Sequence, residues 1–226
     1  MSEACRLCGA QDTELFWRGD KRSHHRDFLR CGECDLIFVP EEFLLSPEQE
    51  RARYELHEND PADEGYRAFL GTLVDEIVPL LTPGARGLDY GSGPTLALVR
   101  ILRERGFDMR GYDLYFSPDR DALAGSYDFI TCTETVEHFR EPLVEFDRMA
   151  AALAPGGTLG IMTDMPEGEW DAEQFARWQY TSEETHISFF SPATMSWLAR
   201  RYGWRLRIPQ PRVSVFVGRG AIPVCR

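Results

Sequence analysis

The sequence lacks any long apolar run. Its hydrophobic stretches fall well short of the roughly 20 residues that a membrane-spanning helix needs. The N-terminal stretch MSEACRLCGA also lacks the basic-then-apolar pattern of a secretory signal peptide. We therefore expect a cytoplasmic protein with no membrane partner.

Positive charge is scarce. The 226 residues include 25 lysines and arginines against 37 aspartates and glutamates, which gives a formal net charge of −12. Because phosphate neutralisation supplies most non-specific affinity for nucleic acids, this balance argues against a nucleic-acid partner. The local exception is residues 200–226, which hold seven arginines and no acid. We interpret them as a solvated or interface-facing edge.

Cysteine is also sparse, but four of the six cysteines are grouped. Cys5-x2-Cys8 and Cys31-x2-Cys34 are separated by 22 residues, a spacing typical of a four-sulfur zinc site. Disulfides are the alternative, and a reducing compartment disfavours them. Four cysteines fill every position around a tetrahedral ion, so the predicted Zn²⁺ is structural. Residues 1–45 are thus expected to form a zinc ribbon.

Four other residues have side chains that can bind metal. His24 and His25 lie between the cysteine pairs, where they are alternative zinc ligands or plain polar loop residues. Cys132 lies in an apolar stretch, which favours its being a small buried hydrophobic residue. Cys225 has no second cysteine near it in the sequence. None of these four is needed for the zinc ribbon.

The rest of the chain alternates between helical and strand patterns. Residues 46–80 have the pattern of two helices and are expected to form a helical lid, with Tyr54 and His57 as surface or core residues. Residues 81–226 alternate short apolar strands with amphipathic helices, which predicts an α/β fold: a mostly parallel sheet with helices on both faces. The last two strands, joined by a proline-containing turn, are expected to form an antiparallel hairpin at its edge.

The stretch GSGPTL, residues 91–96, follows the first strand of this region. A dinucleotide-binding loop reads G-x-G-x-x-G, but Leu96 replaces the third glycine here. Asp89 precedes the loop, and its carboxylate would repel a pyrophosphate and attract an ammonium group. The loop therefore favours the amino-acid part of a ligand over a phosphate. Asp113, 24 residues after Asp89, ends the second strand, where it can accept both ribose hydroxyls.

Four motifs, LDYGSGP, GYDL, YDFITCTETVEHF and LAPGGTLGIMT, resemble in order and spacing those of class I S-adenosylmethionine-dependent methyltransferases. The resemblance covers roughly residues 81–218 and implies a Rossmann-like sheet with S-adenosyl-L-methionine as the cofactor. It further implies that Gly91 and Gly93 bind the methionine part and that Asp113 binds the ribose.

The same resemblance places the adenine and the sulfonium beside the segment that follows the strand YDFITC. Thr133 and Glu134 occupy that segment and are candidate cofactor-binding residues. Residues 114–126 are shorter than the pattern requires, because a helix and a strand are abbreviated there. Asp121 is the candidate adenine contact in this shortened segment.

Methyl transfer from a sulfonium requires alignment and exclusion of water, and it requires a base only if the acceptor must lose a proton. Glu134 and His138 are four residues apart, so a helical turn would place them on one face. His138 is a candidate general base, oriented by Glu134 or Glu137. The alternative is that His138 only bonds to backbone. His186 is the second candidate base.

Residues 164–191 are long for a strand-to-helix connection, and long loops are often functional. They are rich in aromatics, of which Trp170, Phe175, Trp178 and Tyr180 are candidates for the wall of an acceptor pocket. The alternative is a lid that packs on its own aromatic side chains.

These features predict a zinc-ribbon methyltransferase acting on a small-molecule acceptor. One alternative is an RNA methyltransferase that uses the ribbon for recognition. A second is a protein that binds the cofactor as a sensor or assembly partner without turnover. A dehydrogenase is a more distant alternative, which stabilisation by a nicotinamide dinucleotide would favour.

Overall fold

The computed structural model describes residues 3–56 and 60–220, so His57 and Cys225 lie outside the described residues. Its strands are β1 (Thr13–Arg18), β2 (Asp27–Cys31), β3 (Ile37–Phe38), β4 (Arg86–Tyr90), β5 (Asp108–Tyr112), β6 (Tyr127–Thr133), β7 (Leu153–Met162), β8 (Ser188–Phe189), β9 (Arg205–Gln210) and β10 (Val213–Val217). Its α-helices are α1 (Pro47–Tyr54), α2 (Glu64–Ile77), α3 (Ala97–Glu104), α4 (Arg120–Leu123), α5 (Pro142–Ala152), α6 (Ala172–Arg177) and α7 (Pro192–Tyr202). In the two described ranges, no helix has both the length and the hydrophobicity to cross a bilayer.

The N-terminal region forms a small antiparallel sheet in the order β1-β2-β3-β8. Its last strand comes from the far end of the chain, because Ile37 pairs with Phe189 and Phe38 pairs with Ser188. Main-chain pairing therefore crosses the proposed boundary at residue 45. The ribbon and the rest of the chain share one sheet.

The central sheet has six strands in the order β5-β4-β6-β7-β10-β9. The first four are parallel, and β10 is antiparallel to both β7 and β9. This confirms the predicted Rossmann-like sheet with its edge hairpin. Residues 114–126 contain only the one-turn helix α4, so β5 is left as the other edge.

Helices cover both faces of the central sheet. Phe129 and Ile130 are neighbours on β6 and point to opposite sides, as strand geometry requires. Phe129 packs in a buried cluster with side chains of α2 and α3, whereas Ile130 packs in a cluster with side chains of α5 and α7. A parallel sheet buried on both faces leaves the ends of its strands as the natural place for a ligand.

The predicted helical lid consists of two helices with different positions. α1 begins with Ser46 as its cap, whose hydroxyl accepts from the Gln49 amide, and with Pro47 at its first position. α2 packs directly on the sheet, where a Cβ added to Gly160 would lie 2.9 Å from Leu73. Only α1 lies free of the sheet, over the site described next.

Candidate functional site

A cavity of about 590 Å³ lies at the carboxyl ends of the parallel strands β4, β5 and β6. The lining of the cavity contains more carboxylates than guanidinium groups, and Arg140 is its arginine. The acidic side chains that line it are Glu50, Asp89, Asp113, Glu134, Glu141 and Glu145. A wall of this composition favours a cationic ligand and disfavours one that carries phosphates.

Asp89 lies at the end of β4 and is fully buried. Thr131 on the neighbouring strand donates from Oγ1 to Asp89 Oδ1 at 2.7 Å, which fixes the carboxylate at the base of the cavity. Burial raises the pKa of Asp89 to about 7. A ligand ammonium beside it would restore the ionised form, because opposite charges stabilise each other in a buried site.

The glycine loop turns sharply after Asp89. Gly91 has φ of 82°, and a Cβ added there would lie 2.3 Å from the side chain of Thr135, so glycine is required. Leu96 itself takes φ of 53° and begins α3. A Cβ added to Gly111 of β5 would lie 2.6 Å from the side chain of Leu96. Close packing between α3 and the sheet therefore depends on Gly111 of the adjacent strand, and not on a third glycine in the loop.

Asp113, just past the end of β5, joins the two loops of the cavity. Its Oδ2 accepts from the amide of Gly93 at 3.0 Å. Its Oδ1 accepts from the amides of Tyr115 and Phe116 at 2.9 and 3.0 Å. The carboxylate lies in the cavity wall, where Oδ2 retains capacity to accept from a ligand hydroxyl.

S-adenosylmethionine fits the residues that line this cavity. Ser92 Oγ and Glu134 Oε1 are buried atoms with no hydrogen-bond partner among the described residues. Such atoms cost free energy unless a ligand satisfies them. Asp89 suits an ammonium group, Asp113 suits a ribose, and the acidic wall suits a sulfonium. Thr133 also lines the cavity at the end of β6.

Glu134 lines the cavity, and the fully buried Glu137 lies close enough to interact with it. Tyr180 donates from its hydroxyl to Glu137 Oε1 and lies 3.4 Å from Glu134 Oε2. Thr163 donates to Glu137 Oε2 at 3.0 Å. Burial, and then the proximity of Glu137, raises the pKa of Glu134, and burial raises the pKa of Glu137. The Arg212 guanidinium is 4.0 Å from Glu134 Oε1.

His138 and His186, the two candidate bases, both line the cavity, with ring centroids 4.8 Å apart. The turn after β6 is a short 3-10 helix (Val136–His138) preceded by Glu134 at φ of 45°, and not the α-helical turn expected. His138 Nδ1 donates to the carbonyl of Thr185 at 2.9 Å. A backbone carbonyl, and not Glu134, therefore orients the ring, which is the contact that the alternative interpretation of His138 expected.

Two sequence expectations fail in this region. Asp121 is exposed on α4 and does not line the cavity, because Asp119 caps that helix through the amide of Asp121 and turns it outward. The aromatic residues Trp170, Phe175 and Trp178 do not form the cavity wall either. Tyr180 is not among the lining residues either. These aromatics pack against one another, as the lid alternative predicted, and also against side chains of the ribbon strands, which it did not.

Several lining residues were missed by sequence reasoning. Glu50 of α1 is buried and accepts from the Tyr115 hydroxyl at 2.7 Å and from Arg140 Nη2 at 2.8 Å. Tyr54 lies one turn further along α1, and its ring packs 5.2 Å from that of His138. The spacing of Glu50 and Tyr54 on one helical face was the available signal. Through these contacts α1 covers the cavity beside His138.

The ribbon holds the loop that carries His186. Arg26 is 3% exposed, and its guanidinium spans the gap between the ribbon and that loop. At 2.8–3.1 Å, its nitrogens donate to the backbone carbonyls of Ser23, Thr181, Glu183, Glu184 and His186. Burial lowers the pKa of Arg26 to about 10, so the side chain stays charged at neutral pH.

The four predicted zinc ligands converge in the ribbon. Cys5 Sγ is 3.5 Å from Cys34 Sγ, and Cys8 Sγ is 3.5 Å from Cys31 Sγ. All four sulfurs lie within 4.8 Å of one another, and none of the described cysteines forms a disulfide. Tetrahedral zinc holds its sulfurs about 3.8 Å apart. The cluster is therefore a possible zinc site.

The remaining residues with metal-binding side chains lie elsewhere. Cys132 is fully buried in the core of the central sheet, as predicted. His24 lies 3.4 Å from Glu184, and His25 is exposed. Neither histidine belongs to the cysteine cluster.

The family of the chain follows from comparison with known proteins. A family model described as a methyltransferase domain matches residues 62–207, which is more than half of the chain. The chain belongs to this methyltransferase domain family. The match covers α2 and the central sheet as far as the first half of β9, and so includes the glycine loop and both candidate histidines.

Among curated relatives, ubiquinone biosynthesis O-methyltransferases of Xanthomonas campestris pv. campestris are 32% identical over 104 residues. The match covers 36% of this chain and 44% of those proteins, so the chain matches less than half of their length.

Two solved structures share the fold. One is the complex between the Haloferax volcanii Trm112 methyltransferase activator and a putative methyltransferase, at 17% identity and a TM-score of 0.51. That likeness covers 80% of this chain and 99% of the other. The second is a Haemonchus contortus phosphoethanolamine N-methyltransferase 2 bound to phosphomonomethylethanolamine and S-adenosylhomocysteine, at 20% identity and a TM-score of 0.50. It covers 73% of this chain and 44% of the other.

Proposed function

We propose that the protein is an S-adenosylmethionine-dependent methyltransferase that acts on a small-molecule acceptor. The observation that carries this proposal is the acidic cavity at the carboxyl ends of β4–β6, whose lining includes two buried polar atoms without a hydrogen-bond partner among the described residues. Membership of the methyltransferase domain family supports it.

Each end of the cavity has a role in this proposal. Asp89 binds the ammonium of the cofactor, Gly91 and Gly93 allow its methionine part to approach the backbone, and Asp113 binds the ribose. Thr133 and Glu134 lie beside the sulfonium. The cofactor supplies a methyl group already activated by positive charge. The protein aligns the acceptor with that methyl group and excludes water.

The acceptor in this proposal carries a hydroxyl that must lose its proton. His138 and His186 supply two imidazoles that line the same cavity as Asp89 and Glu134. A basic group within reach of the acceptor removes the proton as the oxygen–carbon bond forms. The ubiquinone biosynthesis relatives are O-methyltransferases by name, which favours oxygen as the acceptor atom.

The size and charge of the site favour a small molecule over RNA. The cavity is within the range typical of small-molecule sites, roughly 300–1,000 Å³. Two arginines of the basic C-terminal segment are held by acids: Arg207 lies 2.9 Å from Glu76, and Arg212 lies 3.4 Å from Asp164. These pairs reduce the positive charge available for a nucleic-acid surface.

A structural zinc ion in the cysteine cluster is part of the proposal. The four sulfurs have the number, type and spacing that tetrahedral zinc requires. An ion there would hold the ribbon, and through Arg26 the loop that carries His186.

The test combines binding with turnover. We expect S-adenosylhomocysteine to bind the purified protein in calorimetry, and Asp113→Ala to abolish that binding. Asp121→Ala is the matched control, because Asp121 is exposed outside the cavity. Labelled methyl groups should then pass to the small-molecule fraction of a cell extract and not to its RNA.

Three results would contradict the proposal. Absence of binding with the wild type removes the cofactor assignment. Binding without transfer to any fraction supports a sensor or assembly role, and transfer to RNA supports the RNA-methylating alternative.

A further inference from the structure

A chain of contacts leads from the cysteine cluster to the wall of the cavity. It begins at Asp35, the residue after Cys34, whose amide donates to the carbonyl of Cys31 at 3.0 Å. Asp35 has φ of 63°, a left-handed conformation that aspartate tolerates better than most residues. The turn closes the second cysteine pair, so the position of Asp35 depends on the two predicted zinc ligands in that pair.

Asp35 binds two elements outside the ribbon. Its carbonyl accepts from Trp170 Nε1 at 3.1 Å, and its carboxylate accepts from the hydroxyl of Ser191, the cap of α7. The other carboxylate oxygen accepts from Arg30 of β2 at 2.8 Å. Trp170 is buried, and a buried N–H costs free energy when it has no acceptor. The turn at Asp35 therefore fixes the indole of Trp170.

Aromatic rings continue this chain of contacts from Trp170 to the cavity. The ring centroids of Trp170 and Trp178 are 5.9 Å apart, and Trp178 stacks on Tyr180 at 5.0 Å. The ring of Tyr180 lies 4.0 Å from that of His186, and the Tyr180 carbonyl accepts from His186 Nδ1 at 2.9 Å. His186 lines the cavity. Close-packed side chains transmit a displacement, because few voids are present to absorb it.

The part of the cavity around Asp89 and Asp113 has other supports. Asp89 lies in β4 and Asp113 follows β5, and these strands pair with each other and with β6. The ribbon strands pair with one another and with β8, the short strand between His186 and α7. A change in the ribbon is therefore expected to reach His186 before it reaches either aspartate.

We propose that Trp170 is a positioning residue through which metal occupancy of the cysteine cluster regulates the placement of His186. This inference rests on the proposed function and adds a regulation of the same site. A ribbon that holds its metal keeps His186 in place for methyl transfer, and a ribbon that has lost its metal releases it. Cofactor binding at Asp89 and Asp113 stays unchanged between the two states.

The test follows imidazole resonances of the full chain by NMR spectroscopy, with zinc as the probe. The chain has five histidines, and His186→Gln identifies the resonance of His186. In the wild type, we expect this resonance to shift when a chelator removes zinc and to return when zinc is restored. In Trp170→Phe, which keeps an aromatic ring but loses the indole donor, the shift should be at least twofold smaller. Calorimetry should give affinities for S-adenosylhomocysteine that agree within twofold for the zinc-loaded and zinc-free wild type.

Trp204→Phe is the matched control, because Trp204 stacks on Tyr202, outside this chain of contacts. It should leave the zinc-dependent shift of His186 at its wild-type size. An equal shift in Trp170→Phe and in the control would refute the role of Trp170. A wild type that binds no zinc, or whose His186 resonance does not respond to zinc removal, would refute the regulation.

Cofactor binding separates this inference from the proposed function. If zinc removal abolishes the binding of S-adenosylhomocysteine, for example by unfolding the whole chain, the regulation of His186 alone is refuted and the proposed function stands. If S-adenosylhomocysteine does not bind the zinc-loaded wild type, the proposed function fails.

Discussion

Replacement of Arg26 by methionine is the sharpest test of the link between the ribbon and the cavity. Methionine keeps an unbranched apolar stem but removes all five donor contacts to backbone carbonyls. Two of those contacts are buried and three are partly buried. A carbonyl left without a donor costs more when solvent cannot reach it. The effect therefore exceeds that of removing an ordinary surface arginine.

The magnitude follows from these contacts. A hydrogen bond from a charged group contributes about 1.5–3 kcal/mol, and water will replace part of this at the three partly buried carbonyls. We expect the free energy of unfolding to fall on the order of 4 kcal/mol. In a chain of this size, each kcal/mol lowers Tm by about 2–4 °C, so Tm should fall by about 10 °C.

The assay is thermal unfolding followed by circular dichroism, with Arg177→Met as the control. Arg177 is an exposed arginine whose side chain is 80% accessible and pairs only with Glu173 on its own helix. Its replacement should leave Tm unchanged, because exposed pairs contribute little. The Tm of Arg26→Lys should lie between those of Arg26→Met and Arg177→Met, since an ammonium keeps the charge but lacks the several donors of a guanidinium. An Arg26→Met protein as stable as the control would refute the inference that the ribbon holds this loop.

Three further predictions concern the cofactor pocket and the metal. The affinity for S-adenosylhomocysteine should rise about tenfold per pH unit up to about pH 7 and then level off, because the ammonium group of this ligand requires Asp89 to be ionised. Calorimetry between pH 5.5 and 7.5 measures this slope, which should be absent in Asp89→Asn. Gly91→Ala should abolish that binding, because its Cβ would clash with Thr135, whereas Gly168→Ala, with similar backbone strain and open space, should not. Metal analysis should find about one zinc per chain, and its chelation should lower Tm; a metal-free preparation of equal stability would contradict the ribbon assignment.

Local sequence patterns predicted residues that line the cavity at the ends of its parallel strands. Asp89, Gly91 and Asp113 are fixed by the ends of two adjacent parallel strands, so their positions follow once the strands are recognised. The cysteine cluster likewise follows from the spacing of two turns. In each case the determining contacts are close in sequence or lie on paired strands.

The part of the cavity around Glu50 and His138 depends on contacts between distant parts of the chain, and there the predictions were incomplete. Glu50 meets Arg140 across 90 residues, and nothing in either local sequence indicates that contact. Trp170 and Phe175 pack against the ribbon, so the direction in which their side chains point depends on a part of the chain that is distant in sequence. Asp121 was placed by analogy with a segment that is shortened here, and its helix cap turns it to solvent.

The pairing of β3 with β8 has a consequence for how the chain acquires its structure. The two strands are roughly 150 residues apart, and each contributes only two residues to the ladder. During synthesis the cysteine cluster can assemble as soon as residues 5–34 are available, but this sheet keeps an open edge until β8 has left the ribosome. A chimera that transplants the ribbon alone would carry that open edge with it, and a catalytic unit without the ribbon would lose the support of its acceptor loop.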